Sequence, residues 1–414
     1  MYIFFVRRYN DIDHLAPIIY KIAKETNNSI EVYSLDLTLD IQNDFRLKYL
    51  KNDFEISSSY LFLSNPNNLK NYFIIYFFKI IVWFYHRVGI KNKLTKFIVR
   101  SFDANVLGKD WVVNFLSSKK IKKLIFDWQK PKSFIIKLIL EAKKRKIPII
   151  ACPHGINLAI NNLITKKSIK IGRDQDYGLD WKYFDSVATQ FPLHKERISN
   201  NGFDKNKVKV LGSTRFCDEW LKVLKKLNKI QKTQKKSSDK INVVYMDHIS
   251  TYRFIPNIVI DTINKLSDYS FINLIVKPTT GLSVKSKAKF VGCLNYENSP
   301  KINFAHDISS QQLINWADVI ICTISSIGIE ALLQNKTLIH PQFFHKNTLL
   351  YSEMNACCNV SSLDELEILL KKISSDKTFR TYSKKDVSNF LDYVVYGGKK
   401  NKDVLNNYME YILV

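Results

Sequence analysis

Short apolar runs alternate with amphipathic stretches along the chain. The chain opens with the apolar run "MYIFFV", followed by the polar segment "RRYNDIDH", the helical pattern "LAPIIYKIAKETNN" and the apolar run "SIEVYSLD". We expect the polar segment to be a loop. A strand, a loop, a helix and a second strand in this order are typical of the start of a parallel, Rossmann-like sheet. Later strands of the same sheet are predicted for "KLIFDW", "IPIIACPHG", "SVATQ" and "VKVLGSTRF".

The second half of the chain repeats this alternation. Strands are predicted for "INVVYMDH", "FINLIVKP", "DVIICT" and "KTLIHP", with helices between them and at the end. We therefore expect an α/β protein of the GT-B type, in which two Rossmann-like domains face a central cleft. The predicted parts are an acceptor domain (1–220), a basic connector (221–240), a nucleotide-sugar donor domain (241–390) and a C-terminal helix (391–414).

Composition narrows the class of protein. With 414 residues, 46% of them hydrophobic and only 12 Gly and 10 Pro, the chain fits two globular domains of roughly 200 residues. Its six cysteines show no metal-binding spacing, which favours buried, reduced thiols. The charges at the N-terminus follow the apolar run, so we expect no signal peptide and a cytoplasmic location.

The formal net charge of +25 suggests an anionic partner. Anionic lipid, an anionic substrate and nucleic acid all fit the charge, and an AT-rich genome accounts for part of the lysine excess. The sequence has no helix-turn-helix, zinc-knuckle or RNP pattern, so we expect no nucleic-acid partner. Residues 71–93 are too short an apolar stretch to span a bilayer. They suit either a helix at the cytoplasmic face of the inner membrane or a buried core helix.

Several motifs, in this order, resemble the GT-B glycosyltransferases of bacterial surface-polysaccharide assembly. They are "NDIDHLAPII", "PHG", "VLGSTRF", "VKP" and "SSIGIEALLQNKTLIHP". Within that class the chain most resembles the retaining β-Kdo transferases. The resemblance implies transfer of the acidic sugar Kdo from CMP-Kdo to a lipid-linked glycan during O-antigen or capsule assembly. The donor would be a substrate, and no cofactor is expected.

Two related families leave alternatives open. The chain is also similar to the CDP-glycerol glycerophosphotransferases, which carry an HG dipeptide at the matching place, and to bacterial sialyltransferases. The sialyltransferases combine a His-Pro pair with a Ser-Ser pair, whereas this chain has "VKPTTG" in place of the first pair. A basic module that binds membranes or polysaccharides without catalysis is the alternative from another class.

The donor nucleotide is expected to bind after the strands of the second half. Ser325 and Ser326 follow a strand and open a helix, so hydroxyl and amide groups there can bind a phosphate. Glu330 lies one helical turn later, where the resemblance implies a contact with ribose. The alternative is plain helix capping beside a solvated glutamate.

Two further strand ends complete the predicted donor site. Lys277 ends a strand before Pro278 and can neutralise the departing phosphate. His340 precedes Pro341 at another strand end and suits either a contact with base or ribose or a structural role. Because the chain has no DxD motif, we expect no metal ion.

His154 and Asp247 are the predicted catalytic residues. His154 follows a strand beside Gly155, and a neutral imidazole there can take a proton from an acceptor hydroxyl. Alternatively, its cationic form binds the carboxylate of the donor. Asp247 ends the first strand of the second half and can act as the nucleophile of a retaining transfer, or it caps the next helix.

The acceptor is expected to meet polar residues at the exit of the first strand and at the domain junction. These side chains suit an anionic glycan, although solvated loop charges are an equally good reading. The predicted acceptor-binding residues are Arg7, Arg8, Asp13, His14 and Arg215, with Asp11 beside them.

Overall fold

Two parallel sheets organise the chain in the computed structural model. The structure describes residues 1–36, 39–61, 76–77, 80, 109–128, 133–160, 183–227, 239–246, 256–277, 302–305, 308–345, 347–399 and 402–414. Within these residues the helices are α1 (Tyr9–Glu25), α2 (Phe45–Phe54), α3 (Lys109–Ser117), α4 (Ser133–Lys144), α5 (Pro192–Asn200), α6 (Asp218–Leu227), α7 (Pro256–Asp268), α8 (Ser310–Trp316), α9 (Ile327–Leu333), α10 (Leu350–Glu353), α11 (Leu363–Ser375), α12 (Lys384–Val394) and α13 (Val404–Leu413).

The first sheet has seven parallel strands in the order β3-β2-β1-β4-β5-β6-β7. They are β1 (Tyr2–Val6), β2 (Ile30–Ser34), β3 (Ser57–Tyr60), β4 (Lys123–Asp127), β5 (Ile149–Cys152), β6 (Ser186–Thr189) and β7 (Val208–Val210). The central strands β1, β4 and β5 are buried along their whole length. Helices on both faces of a parallel sheet require such continuous apolar runs.

The second sheet has six parallel strands in the order β10-β9-β8-β11-β12-β13. They are β8 (Ile241–Met246), β9 (Ile272–Lys277), β10 (Ile302–Phe304), β11 (Val319–Ile321), β12 (Thr337–Pro341) and β13 (Cys358–Val360). Side chains from β8, β9, β11 and β12 pack with α7 and α11 in one core. The strand order again reverses beside the first strand, as in a doubly wound fold.

The chain divides into two compact units, and its C-terminus belongs to the first. The first unit comprises Met1–Gly155, Tyr177–Asn228 and Val394–Val414, and the second comprises Ile156–Asp176 and Lys229–Tyr393. The start of the predicted connector, residues 221–227, belongs to α6, and the predicted terminal helix contains the end of α12 and all of α13. The predicted boundaries and roles of the domains stay predictions.

A glycine fixes the contact between the C-terminal segment and the first sheet. Gly212 has φ +94°, and a Cβ atom there would lie 2.6 Å from the carbonyl oxygen of Val395. The carbonyl oxygen of Gly212 accepts a hydrogen bond from the Tyr408 hydroxyl at 3.1 Å. A larger residue at this position would therefore both strain the backbone and displace the returning segment.

The structure differs from one sequence prediction near the N-terminus and leaves another largely untested. The segment "RRYNDIDH" is not a loop throughout, because α1 begins at Tyr9 and includes all but the first two of these residues. Most of the segment 71–93 lies outside the described residues. The three residues of it that are described, Tyr76, Phe77 and Ile80, are exposed. Among the described residues, no helix combines the length and apolar character needed to cross a bilayer.

Candidate active site

Three strands of the first sheet end side by side where its order reverses. β1 lies between β2 and β4, and β5 lies beyond β4, so the carboxyl ends of β1, β4 and β5 are neighbours. Adjacent strands lie about 4.8 Å apart, which brings the residues after them within contact distance. In doubly wound sheets ligands bind at this reversal, at the carboxyl ends of the strands. The side chains at these three ends are unusually polar.

Asp11 holds the turn between β1 and α1. It is the third residue of α1, and its Oδ2 atom accepts hydrogen bonds from the backbone N–H groups of Arg7 at 2.6 Å and Arg8 at 2.9 Å. A carboxylate that satisfies free amides at a helix start is also favoured by the helix dipole. These bonds fix the position of the other oxygen, Oδ1, at the end of the sheet.

His154 contacts this second oxygen. Its Nδ1 atom hydrogen-bonds Oδ1 of Asp11 and lies 3.5 Å from Oδ2 of Asp127, the last residue of β4. Arg7 donates from Nε to Oδ1 of Asp127 at 2.8 Å, and its Nη2 atom contacts the same oxygen. Both carboxylates are at least 99% buried, whereas the imidazole side chain is 18% exposed. The imidazole is therefore the most exposed side chain of this cluster, since that of Arg7 is 10% exposed.

The two carboxylates raise the proton affinity of the cluster. Burial, followed by the negative charge of Asp11, raises the pKa of Asp127 to about 6, although Arg7 and His154 oppose the shift. Two buried carboxylates against one guanidinium leave an excess negative charge, and a proton on Asp127 balances it. The cluster can thus store a proton near neutral pH.

The same cluster offers three donor atoms for a metal ion. One ligand atom each from Asp11, Asp127 and His154 lie within 4.8 Å of one another. Arg7, however, already supplies a positive charge to Asp127, and Nδ1 of His154 is already hydrogen-bonded to Asp11. The expectation of no metal ion stays a prediction.

The predicted acceptor-binding residues lie around α1 but differ in their surroundings. Asp13 forms ion pairs with Arg46, which the sequence analysis did not identify, and with Arg215, whose Nη1 atom is 3.2 Å from Oδ2 of Asp13. Arg8 is exposed. His14 is 1% exposed, its Nδ1 atom has no hydrogen-bond partner among the described residues, and burial holds its pKa well below the usual value. His14 is therefore neutral.

The predicted donor-site serines lie where the sequence places them. Ser326 is the N-cap residue of α9, and Oγ of Ser325 accepts a hydrogen bond from the backbone N–H of Ile327 at 3.3 Å. Glu330 is 3% exposed, so it is not the solvated side chain of the alternative interpretation. Their role in nucleotide binding stays a prediction.

Lys277 ends β9 as predicted and is 7% exposed, and its Nζ atom donates a hydrogen bond to the carbonyl oxygen of Ile308 at 2.7 Å. Asp247, the predicted nucleophile, lies outside the described residues. It directly follows Met246, the last residue of β8, and β8 lies where the order of the second sheet reverses. Both phosphate neutralisation by Lys277 and the nucleophilic role of Asp247 stay predictions.

His340 belongs to a chain of neutral polar groups. The Ser352 hydroxyl donates to Oδ1 of Asn359 at 2.7 Å, so its oxygen accepts from Nδ1 of His340 at 2.8 Å. Nε2 of His340 then accepts from Nε2 of His345, 3.2 Å away. Burial lowers the pKa of His340 to about 3 and that of His345 to about 4. Both ring nitrogens of His340 thus have partners inside the fold.

Asp127 is the member of the cluster of Asp11, Asp127 and His154 that the sequence did not single out. One signal was present, because the apolar strand "KLIFDW" ends its buried run with a carboxylate, which is costly to bury without a partner. Its partners Arg7 and His154 are 120 and 27 positions away, and only the strand order brings them together.

Comparison with solved structures supports the fold. No protein-family model and no curated sequence matches the chain. The UDP-GlcNAc 2-epimerase of Methanocaldococcus jannaschii, in complex with UDP-GlcNAc and UDP, is similar with a TM-score of 0.57 and 14% identity, covering 100% of this chain and 99% of that one. The UDP-GlcNAc 2-epimerase of Neisseria meningitidis, bound to UDP-GlcNAc, is similar with a TM-score of 0.55 and 14% identity. The match covers 100% of this chain and 98% of that one. A glycosyltransferase of kitacinnamycin is similar with a TM-score of 0.53 and 9% identity, and the match covers 99% of this chain and 98% of that one. These are GT-B proteins, so the predicted GT-B fold class is confirmed.

Proposed function

We propose that the chain is a nucleotide-sugar-dependent enzyme in which His154 acts as the general base. The observation that carries the proposal is the hydrogen bond between Nδ1 of His154 and Asp11, at the strand ends where doubly wound sheets bind ligands. The similarity to proteins solved with UDP-sugars supports the choice of substrate class.

The contact with Asp11 sets the tautomer of the imidazole. A carboxylate at Nδ1 keeps the proton on that nitrogen, so in the neutral ring the lone pair is on Nε2. Nε2 is then the atom that takes a proton from a substrate, and Asp11 stabilises the imidazolium that forms. Asp127 lies 3.5 Å from the same Nδ1 atom, and its own charge is paired with that of Arg7.

The finer proposal is glycosyl transfer, with CMP-Kdo as donor and a lipid-linked glycan as acceptor. It rests on the resemblance of the sequence motifs to β-Kdo transferases. His154 would deprotonate the acceptor hydroxyl, while Ser325, Ser326 and Glu330 bind the nucleotide and Asp247 supplies the nucleophilic carboxylate. The excess of basic residues suits an acidic sugar and an acceptor anchored in an anionic membrane.

Epimerisation of a UDP-sugar is the second candidate, favoured by the similarity to two UDP-GlcNAc 2-epimerases. Inverting a carbon next to the anomeric centre requires a base that removes its hydrogen, and His154 beside two carboxylates suits that step equally well. The two reactions differ in an observable way. Epimerisation in D₂O introduces deuterium at the inverted carbon, whereas glycosyl transfer leaves that carbon untouched.

A panel of donors tests the proposal. CMP-Kdo generated in place, CDP-glycerol and UDP-GlcNAc would each be incubated in D₂O, in which water serves as the acceptor. Nucleotide release would be followed by phosphorus NMR and sugar deuteration by proton NMR. We expect release from one cytidine donor and at least a hundredfold loss, on the order of what general bases contribute, in His154→Gln. Lys144→Gln, at a side chain that is 76% exposed, is the matched control. Full turnover in His154→Gln would overturn the proposal, and deuterated UDP-sugar would select the epimerase.

A further inference from the structure

The loop that carries His154 is tied to the neighbouring loop by one buried glutamine. Gln190 directly follows β6, the strand next to β5, and its side chain is fully buried. Its Nε2 atom donates a hydrogen bond to the carbonyl oxygen of Gly155 at 2.8 Å. Gly155 is the residue after His154, so this bond fixes the backbone at the candidate base.

His194 bonds the other end of the Gln190 amide. The two residues are four positions apart, and Nδ1 of His194 lies 2.9 Å from Oε1 of Gln190. The carbonyl oxygen of Gly155 can only accept, so the Nε2 end of the amide faces it, and Oε1 then accepts the proton that His194 carries on Nδ1. His194 is 2% exposed and packs against Phe191, with ring centroids 4.1 Å apart.

The same pair also contacts the strand end that carries Asp127. Trp128 follows Asp127 directly, and its ring stands edge-on to His194 with centroids 5.3 Å apart. Its Nε1 atom donates to the carbonyl oxygen of Ala188 in β6 at 2.8 Å. The backbone carbonyl of Gln190 accepts from the N–H of Gly212, in the loop after β7, at 3.1 Å. Gln190 and His194 thus join the loops that follow four adjacent strands.

We propose that Gln190, oriented by His194, is a positioning residue that sets the reach of the His154 imidazole toward the substrate. This inference rests on the proposed function, because it assigns Gln190 a share in the rate of the reaction that His154 catalyses. A displacement of about 1 Å at a catalytic group can cost on the order of a hundredfold in rate. Loss of the Gly155 bond should therefore lower kcat and leave the KM of the donor within about threefold.

Two substitutions separate positioning from a structural role. Gln190→Leu keeps the approximate volume and removes both hydrogen bonds, and we expect a ten- to hundredfold loss of kcat. Gln190→Glu keeps the acceptor for His194 but turns a second acceptor toward Gly155, and only the protonated acid restores a donor there. The turnover of Gln190→Glu relative to the wild type should therefore rise as the pH falls toward 5.

Asp185→Ala is the matched control. Asp185 ties the same two strands together at their opposite ends, because its Oδ2 atom accepts from the backbone N–H of Ile149 at 2.8 Å. Unfolding in urea would report how far each variant is destabilised. If Asp185→Ala lowers kcat as much as Gln190→Leu, or if the relative turnover of Gln190→Glu is independent of pH, the positioning role is wrong.

A readout without substrate distinguishes this failure from failure of the proposed function. In protein labelled with ¹⁵N-histidine, the ring nitrogens of His154 report its tautomer and its contact with Asp11 at each pH. We expect Gln190→Leu to change the His154 signals and Asp185→Ala to leave them unchanged. Unchanged His154 signals in Gln190→Leu would overturn the positioning role. If the His154 signals change in Gln190→Leu but His154→Gln keeps full turnover, Gln190 positions His154 and His154 is not the base.

Discussion

In each of the two sheets a histidine lies at or just after the end of a strand, and the surroundings of these two histidines differ. His154 in the first unit contacts the carboxylates of Asp11 and Asp127 and is partly exposed. His340 in the second unit bonds Ser352 and His345, is 1% exposed and has a low pKa. Carboxylates stabilise an imidazolium, whereas burial among neutral groups prevents its formation. A strand-end histidine therefore suits proton transfer only with the first kind of neighbour.

The largest effect is expected from Asp11→Asn, which would give His154 a neutral partner in place of a carboxylate, as His340 has. Asparagine can donate to Nδ1 of His154, and the proton then moves to Nε2, the nitrogen that the substrate needs as a base. We expect turnover to fall by roughly three orders of magnitude, about 4 kcal/mol of transition-state stabilisation. Steady-state rates with the accepted donor would measure the loss.

Asp204→Asn is the control for this variant, because Asp204 caps a single turn far along the sequence and is exposed. A turnover of Asp11→Asn within tenfold of the wild type would show that the tautomer of His154 does not matter for the rate.

We expect the raised pKa of Asp127 to make the protein less stable as the pH rises from 4 to 6. Its pKa is about 6 in the folded state and near 4 in the unfolded chain, so between these values the folded state holds more protons. The free energy of unfolding should therefore fall as the pH rises from 4 to 6, by on the order of 2–3 kcal/mol from this group. Asp127→Asn, measured by urea unfolding across this range, should lose that part of the slope.

Asp376→Asn is the control, because the pH dependence of stability that Asp376 contributes has the opposite sign. Hydrogen bonds from Thr378 lower the pKa of Asp376, so its contribution to stability is present above about pH 4 and is lost as the pH falls. Equal pH profiles for the wild type and Asp127→Asn would contradict a raised pKa at Asp127.

His340→Phe is expected to act on stability. Removing the ring leaves the buried Nε2–H group of His345 without its acceptor, at a cost of roughly 1–3 kcal/mol, whereas the Ser352 hydroxyl keeps its bond to Asn359. Urea unfolding would measure this cost, and nucleotide titration would test the predicted donor contact. Retained nucleotide affinity would remove His340 from the donor site. Unchanged stability would contradict a structural role for the hydrogen bonds of His340 with Ser352 and His345.

The smallest effect is expected from Glu330→Gln. If the buried carboxylate of Glu330 accepts from ribose hydroxyls, the amide loses one acceptor and nucleotide affinity should fall about tenfold, or about 1.4 kcal/mol. Thermal shift with CMP, CDP, UDP and GDP would show the loss, with the exposed Glu353→Gln as control. We expect CMP to give the largest shift for the wild type, and equal shifts for all four nucleotides would reject cytidine specificity.

Local patterns in the sequence determined the elements of the fold and the placement of several polar residues. Lys277, Ser326 and His340 lie at the strand and helix ends where alternating apolar and polar runs place them. The period of the apolar positions reflects contacts within one element, so it can be recognised without knowing its neighbours. The start of α1 was missed because Asp11 and His14 are buried polar residues, which break that period.

Only the tertiary structure decided which of these residues act together. Asp11 and His154 are 143 positions apart, and Asp127 joins them because β4 lies between β1 and β5. The order of strands in a sheet depends on how distant segments pack, and no local period encodes it. The two histidines differ for the same reason. The carboxylates that make His154 a candidate base and the neutral groups that bond His340 come from other elements.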